Sequence, residues 1–211
     1  MLTEMFSCIF PNFRTALVCC LLSLGPIVAS AIEAEEVASQ ASDRDKFKSA
    51  VKELRTGVGP RYQSLREQLD HYPLAIYLDA LVIEGNLHAG KPEDTREFLQ
   101  AAGTSPIAMR TLRSFVRHKI EDRRWGAVVE VTEGLTLGTE LTCHRAHALL
   151  MTGHTAQAIP LFNEVWTVGK SQIKACDPAF KDWYRKSGPS DDVVWDRALK
   201  AADARNSTLL R

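Results

Sequence analysis

Apolar residues recur along most of this chain at the spacing of an amphipathic α-helix, and this periodicity limits the possible folds more than any other feature. From Asp43 onward, apolar positions follow the order i, i+3, i+4 and i+7 in one segment after another. The letters AVVEVT at 127–132 alternate as in a strand, but the flanking pattern is helical and we expect a helix there too. The helical sets are Phe47, Ala50, Val51 and Leu54; Tyr62, Leu65, Leu69 and Tyr72; Leu74, Tyr77, Leu78, Leu81 and Val82; Ala108, Leu112, Phe115, Val116 and Ile120; Ala158, Phe162, Val165 and Trp166; and Trp195, Ala198, Leu199 and Ala202.

Proline and glycine divide this pattern into short helices of roughly 10–18 residues. Ser105 and Asp177 are candidate N-caps, and Thr155 is a candidate helix start. Five prolines stand where a first helical turn would begin, since there the missing N–H costs nothing: Pro73, Pro92, Pro106, Pro178 and Pro189. The sequence therefore predicts an all-α chain of helical hairpins.

One hairpin, CHRAHALLMTGHTAQAIPLFNEVW at 143–166, has the residue order of a tetratricopeptide repeat. Its small residues would let two helices approach closely, and we expect Pro160 to shift the start of the second helix. The matching positions are Ala146, Leu149, Leu150, Gly153, Ala158, Phe162 and Trp166. Because such hairpins bury their faces only by stacking, we expect a superhelical solenoid of antiparallel helix hairpins.

The first 31 residues have the features of a secretory signal peptide. Arg14 precedes an apolar run that Gly25 and Pro26 interrupt, and Ala29-Ser30-Ala31 offers a small-residue cleavage site. The alternative is a membrane anchor, but a spanning helix needs about 20 apolar residues and this run is shorter. We expect a signal peptide at 1–31, a flexible lead at 32–43 and a helical domain at 44–211, with no stable membrane insertion after cleavage.

Removal of residues 1–31 leaves two cysteines, Cys143 and Cys176, in an oxidising compartment. Two such cysteines most often pair, and the alternative is two free thiols. Closing a loop of 33 residues (176 − 143) would stabilise the fold by roughly 3–4 kcal/mol in the chain-entropy description.

The charges balance, with 26 basic and 26 acidic residues, and this argues against nucleic acid as a partner. The sequence contains no phosphate-binding loop, HExxH or dinucleotide fingerprint, so we expect no cofactor. Cys143 and His147 lie four residues apart, with His144 and His154 nearby, as two metal ligands could. A disulfide would consume Cys143, so we expect packed or solvated histidines rather than a metal site.

Two further sets of residues permit a functional interpretation. The segment 110–124 carries a basic face suited to an anionic partner, but a solvated helix exterior is the favoured interpretation. Eight aromatic residues could stack on sugar rings, although their helical spacing favours core packing: Trp125, Trp166, Trp183, Trp195, Tyr62, Tyr72, Tyr77 and Tyr184.

Three stretches together resemble a known family: LDHYPLAIYLDALVIEGNL, EDRRWGAVVEV, and EVWTVGKSQIKACDPAFKDWYRKSG followed by WDRALKAADARNSTLL. In order and spacing they are similar to the N-terminal helical region of the soluble lytic murein transglycosylases. The resemblance covers Phe47 to Arg211. It implies a periplasmic location, peptidoglycan glycan strands as partner, and a curved stack of helices. In the family the cysteines matching Cys143 and Cys176 form a disulfide.

The family's catalytic domain cleaves the MurNAc–GlcNAc bond without water, using a Glu in an E-S-x-F-like helix start followed by G-L-M-Q-x-x-P. Neither motif is present, and Glu130 and Glu133 lack those surroundings, so no catalytic residue is assigned. We expect a non-catalytic helical domain of such an enzyme, truncated at its C-terminus, with a separately encoded catalytic domain as a candidate partner. The alternative is a stand-alone periplasmic solenoid that binds peptidoglycan or cell-wall proteins.

Overall fold

The computed structural model describes the backbone of residues 25–210 and the side chains of residues 39–210. This part of the chain is all-helical and contains no strand. Residues 1–24, which carry most of the predicted signal peptide, lie outside the described residues. The helices are α1 Gly25–Leu54, α2 Pro60–Glu67, α3 Ala75–Gly85, α4 Pro92–Ala102, α5 Pro106–Glu121, α6 Trp125–Val131, α7 Thr139–Met151, α8 Thr155–Trp166, a 3₁₀ helix Lys174–Cys176, α9 Asp177–Lys186 and α10 Asp191–Asp203.

The chain divides into two compact units, Met1–Tyr72 and Pro73–Arg211. In the first unit α1 packs on α2, and the buried carboxylate of Asp43 lies 3.0 Å from Lys46 Nζ and 2.7 Å from His71 Nε2. Phe47 and Tyr72 bring their rings within 5.9 Å of each other.

Residues 32–43, expected as a flexible lead, instead belong to α1. The segment is rich in alanine and glutamate, which have high helix propensity, and the sequence analysis gave this too little weight. The expected cleavage site at 29–31 also falls within this helix of the unprocessed chain. None of the described helices is both long and apolar enough to cross a membrane.

In the second unit, α3, α4, α5 and α7 each pack on the next helix and on the one after it, as in stacked helical hairpins. Thus α3 contacts α4 and α5, α4 contacts α5 and α6, and α7 contacts α8 and α9. The segment at 127–132, predicted as helix despite its alternation, lies in α6 and its C-cap. The buried core forms three main groups: Ala80, Phe98, Ile107 and Ala108; Leu112, Phe115, Val116, Val128, Val131, Leu141 and Ala148; and Ala146, Leu149, Leu150, Ala158, Phe162, Trp166, Ala179 and Trp183.

The third group contains six of the seven positions assigned to the tetratricopeptide-like hairpin. The seventh, Gly153, forms the turn between α7 and α8 with φ +86°, a conformation that favours glycine. Pro160 lies inside α8, which begins at Thr155, so the expected shift of the helix start is wrong. Ala156, whose carbonyl loses a donor because Pro160 has no N–H, is exposed, so water can reach the backbone there.

Most predicted helix starts agree with the structure. Pro92, Pro106 and Pro178 lie within the first two positions of their helices, and the Ser105 side chain accepts a hydrogen bond from the Ala108 amide. Asp177 is not an N-cap, because the helix already includes it and Cys176 occupies the capping position. The adjoining 3₁₀ turn moves the start of α9 one residue forward.

Basic side chains of one hairpin bind carbonyl groups at the ends of helices in a neighbouring hairpin. Arg96 donates to the Glu130 carbonyl at 2.7 Å, and Lys186 donates to the Leu150 carbonyl at 2.9 Å. The buried Lys119 donates to the His88 carbonyl at 3.0 Å. The last carbonyls of a helix lack the regular i→i+4 donor, and a positive charge is favourable at that end.

Candidate functional site: the Cys loop and its groove

The Cys loop, defined as residues 167–176, connects α8 to α9 and is tied to α7. The structure contains the disulfide between Cys143 in α7 and Cys176 at the end of the loop. Both cysteines are fully buried and pack against Val165 and Phe180. The loop cysteine is thus a covalent anchor that holds the beginning of α9 against α7.

Gly169 brings the Cys loop into direct contact with α10. A Cβ atom at this position would lie 2.3 Å from the Lys200 carbonyl oxygen and 2.9 Å from the Ala204 Cβ. Asn206 Nδ2 donates to the Gly169 carbonyl at 3.2 Å on the same side. The position therefore excludes any side chain.

A groove of about 370 Å³ opens between the Cys loop, α9 and α10, and we call it the Cys-loop groove. One wall is a single stripe of α9, because its residues are spaced i, i+3, i+4 and i+7. The loop forms one end and α10 supplies the opposite wall. The lining residues are Trp166, Ser171, Gln172, Asp177, Phe180, Lys181, Tyr184 and Arg197.

Arg197 is held in place on this wall by Trp166. Its guanidinium carbon lies 4.3 Å from the Trp166 ring centroid, and Nη1 donates to the Trp166 carbonyl oxygen. Burial lowers the pKa of the Arg197 guanidinium, which nonetheless stays charged because arginine titrates far above neutral pH. A second cavity of about 450 Å³, lined by Val194 and Leu210, lies against the same Arg197 and Trp166.

Packed aromatic rings support the floor of the groove. Phe162 and Trp183 stack with centroids 4.8 Å apart, and Trp166 meets Trp183 edge-on at 5.9 Å. Tyr184 meets Trp166 edge-on at 6.2 Å, while 51% of Tyr184 remains exposed. The groove thus presents one half-exposed ring on a rigid apolar base.

Below the disulfide, His147 on α7 contacts Asp182 on α9 with Nε2 and Oδ2 2.8 Å apart. His147 is buried and its ring lies 4.7 Å from that of Trp125. The hydrogen bond from His147, and then the one from Arg185, hold the pKa of the Asp182 carboxyl below its usual value. This buried polar contact joins α7 to α9 beside the covalent one.

The cysteine and histidines considered as metal ligands have other partners. Cys143 is in the disulfide and His147 contacts Asp182, while His144 lies 3.8 Å from Glu140 and its pKa is lowered by burial. His154 Nδ1 contacts the Thr152 hydroxyl at 2.9 Å. Among the side chains that the structure describes, no cluster of three such ligands could hold a metal ion.

The eight aromatic residues considered for sugar stacking separate into three classes. Trp183, Trp166 and Tyr62 are buried, as the core interpretation expects, and Trp125 and Tyr72 are half-buried. The core interpretation is wrong for the three that are largely exposed: Tyr77, Tyr184 and Trp195. Of these, only Tyr184 lines the Cys-loop groove.

The basic segment 110–124 is largely occupied by contacts within the fold. Arg110 pairs with Glu84 at 3.2 Å, Arg117 pairs with Glu140 at 2.6 Å, and Lys119 is buried. Arg110 and Arg117 lie on the helix exterior, as the favoured interpretation expects, whereas Lys119 does not.

Lys181, Arg197 and Gly169 were not predicted to form parts of one site. A signal was available for the first, because Lys181 shares its helical stripe with Asp177 and Tyr184. No local pattern indicated the other two, since their roles depend on contacts between separate helices.

Comparison with known proteins yields one consistent group of relatives. The chain is 30% identical to the soluble lytic murein transglycosylase of Escherichia coli K12 over 178 residues, and 33% identical to that of Salmonella typhimurium over 144. These matches cover 82% and 67% of this chain. The chain is a homologue of the soluble lytic murein transglycosylases. No protein-family model matches it.

Solved structures of this group of transglycosylases share the helical architecture. The crystal structure of the 70 kDa soluble lytic transglycosylase Slt70 from Escherichia coli superposes with a TM-score of 0.63 at 25% identity, covering 82% of this chain. A complex of the 70 kDa enzyme with bulgecin A gives 0.62 at 26% identity over 81% of the chain. The lytic transglycosylase Slt of Pseudomonas aeruginosa gives 0.55 at 28% identity over 78%.

The chain spans about a quarter of these relatives. The match covers 27% of the Escherichia coli transglycosylase and 22% of the Salmonella one. What the relatives' names say of their activity therefore belongs to proteins of much greater length.

Proposed function

We propose that this chain is a non-catalytic helical domain of a periplasmic lytic murein transglycosylase, and that it serves murein turnover by binding glycan strands. The observation that carries the proposal is the relationship, over 82% of the chain, to enzymes named soluble lytic murein transglycosylases. The signal-like residues 1–31 and the disulfide both suit an exported protein.

The carboxyl groups whose pKa is shifted among the described side chains do not suit the role of a catalytic acid. A glycosidic bond is cleaved by a carboxylic acid whose pKa is raised so that it holds a proton near neutral pH. Asp43, Asp122 and Asp182 have their pKa shifted in the opposite direction, chiefly by hydrogen bonds from Lys46, His88 and His147 respectively. Such groups are ionised acceptors and not proton donors.

Glu130 and Glu133 are the two glutamates that were compared with the catalytic motif. The carbonyls of Glu130 and Glu133, at the end of α6, accept hydrogen bonds from Arg96 at 2.7 and 3.2 Å. Neither lines the Cys-loop groove.

Sedimentation and product analysis test both parts of the proposal. The purified chain is incubated with insoluble murein sacculi, and the pellet and the soluble products are examined separately. We expect retention in the pellet and no 1,6-anhydro products by mass spectrometry. Absence of retention would refute murein binding.

Release of anhydro products would refute the non-catalytic part. In that event the variants Glu130→Gln and Glu133→Gln show whether either glutamate is the acid responsible.

One observation favours a second candidate, a module that binds cell-wall proteins. Helix α10 exposes Val194, Trp195 and Leu199, with exposed fractions of 45%, 67% and 49%. Exposed apolar groups on one helix often mark a protein contact. Cross-linking to periplasmic proteins that is lost in Trp195→Ser, with no retention on murein, would favour this candidate.

A further inference from the structure

We propose that the Cys-loop groove is a binding site for a carboxylate-bearing amino-sugar strand, with Tyr184 under a sugar ring and Lys181 and Arg197 facing its carboxylate. This inference rests on the proposed murein-binding function and assigns it to a particular place. The first support is the shape, since a volume of about 370 Å³ lies in the usual range of small-ligand sites.

Tyr184 supplies an apolar face with a polar tip. The ring is 51% exposed and rests edge-on against the buried Trp166 at 6.2 Å, so little conformational freedom would be lost on contact. An aromatic ring of this kind suits the C–H face of a sugar, and its hydroxyl can bind at the edge. The neighbouring Ser171 and Gln172 add hydroxyl and amide groups at the loop end of the groove.

The charges in the groove select an acidic sugar over a neutral one. Within the described residues no salt bridge engages Lys181, and of the five Arg197 donors one binds the Trp166 carbonyl. Asp177 is the only acidic side chain in the lining, so the groove carries an excess of one positive charge. The lactyl and peptide carboxylates of murein complement that charge, whereas chitin has the same amino-sugar backbone without them.

The inference is tested by titrating the purified chain with two soluble tetrasaccharides and following tyrosine and tryptophan fluorescence and NMR shifts. One is GlcNAc-MurNAc-GlcNAc-MurNAc, which bears carboxylates, and the other is neutral chitotetraose. We expect the wild-type chain to bind the acidic sugar more tightly. Lys181→Gln should weaken that binding by up to about fivefold, the range of one exposed ion pair, and leave chitotetraose unaffected. Tyr184→Ala should weaken both.

Matched variants outside the groove serve as controls. Lys170→Gln makes the same charge change in the same loop, and Tyr77→Ala removes a tyrosine that is 43% exposed on α3. Neither should alter either titration, and unchanged melting curves establish that all four variants are folded.

The possible outcomes distinguish a failure of the groove assignment from a failure of the proposed murein binding. If sacculi retain the wild-type chain but the groove variants titrate like wild type, the groove assignment is wrong and murein binding stands. If sacculi do not retain the wild-type chain, the proposed murein-binding function is refuted. Equal affinity for the two tetrasaccharides would refute the role of the carboxylate. Self-association lost in Tyr184→Ala, with no sugar binding, would make the groove a protein contact.

Discussion

Gly169 shows how one residue without a side chain can determine the position of a helix. Its Cα faces the Lys200 carbonyl so closely that a Cβ would lie 2.3 Å from that oxygen. The clash is with backbone, so it cannot be relieved by rotating a side chain. The Cys loop and α10 would have to separate.

We therefore predict that Gly169→Ala destabilises the protein by about 1–3 kcal/mol, the usual cost of overpacking. Gly126→Ala is the matched control, because nothing lies within 4 Å of a Cβ at that position in α6. Alanine there should be neutral or stabilising by up to about 1 kcal/mol. Urea denaturation of both variants measures the difference, and equal effects would contradict the predicted contact.

Asp182 predicts a pH dependence of stability. Its carboxyl has a pKa held below the ordinary value of 3.8, first by the His147 hydrogen bond. The resulting stabilisation is complete above the unfolded pKa and is lost as the pH falls through the lower folded pKa. Asp182→Asn should be less stable than wild type at neutral pH and should lose less stability below about pH 4.

Thermal melts from about pH 6 to about pH 2.5, a range that begins above the unfolded pKa and extends below it, test the expectation. Asp196→Asn on α10 is the control, since Asp196 is exposed and makes no salt bridge within the described residues. If the melting temperatures of Asp182→Asn and of wild type changed in parallel with pH, the contact between His147 and Asp182 would contribute no pH-dependent stability.

At the scale of helices, the ends are stabilised by side chains that come from other helices. The short helix α6 depends most on this support, because seven residues are too few to be stable alone. Arg145 on α7 donates to the Val129 carbonyl and to the Thr132 hydroxyl, both at 2.9 Å. Arg96 on α4 donates to the Glu130 carbonyl at the same end of α6.

Replacing Arg145 by methionine should therefore destabilise the fold by about 1–3 kcal/mol, since it removes the charged donor of the Val129 carbonyl and of the Thr132 hydroxyl at a half-buried helix end. Arg110→Met is the comparison, because Arg110 makes an exposed ion pair with Glu84 at 3.2 Å. Such a pair contributes at most about 1 kcal/mol. Denaturant midpoints measure both changes, and a larger loss for Arg110→Met would be inconsistent with the capping role.

Over the second unit as a whole, one sequence distance recurs in several long-range contacts, although others are shorter, as for Arg117 with Glu140 at 23 residues. The hydrogen bonds of Lys119 with His88 and of Asn206 with Gly169 join residues 31 and 37 apart, and the disulfide spans 33. This is close to the period of about 34 residues of tetratricopeptide repeats. The contacts therefore show a repeat, although the amino-acid sequence shows no strict period.

The disulfide is the strongest of these repeated ties, and its removal has a global consequence. Reduction, or Cys176→Ser, should cost roughly 3–4 kcal/mol. For a domain of this size, that corresponds to a melting temperature lower by roughly 6–16 °C. Melts with and without reductant measure the shift. The Cys176→Ser variant should show no further change on reduction, and an unchanged wild-type melt would mean that the thiols are not paired.

The sequence by itself determined the helical class, most helix starts and the pair of cysteines. These follow from local rules: apolar spacing at about 3.6 residues per turn, the φ angle of proline at Pro92 or Pro106, and the capping geometry of Ser105. Local helix propensity was underestimated at residues 32–43, where alanine and glutamate extend α1.

Tertiary structure alone decided which residues form the site. Trp183 and Tyr184 are adjacent on α9, yet the first is fully buried and the second half-exposed. Arg197 donates a hydrogen bond to the Trp166 carbonyl, 31 residues earlier in the chain. Gly169 likewise contacts the distant Lys200 carbonyl, where the Cys loop meets α10. Sequence spacing reports which face of a helix a residue occupies, but only the packing of helices from different repeats determines what that face meets.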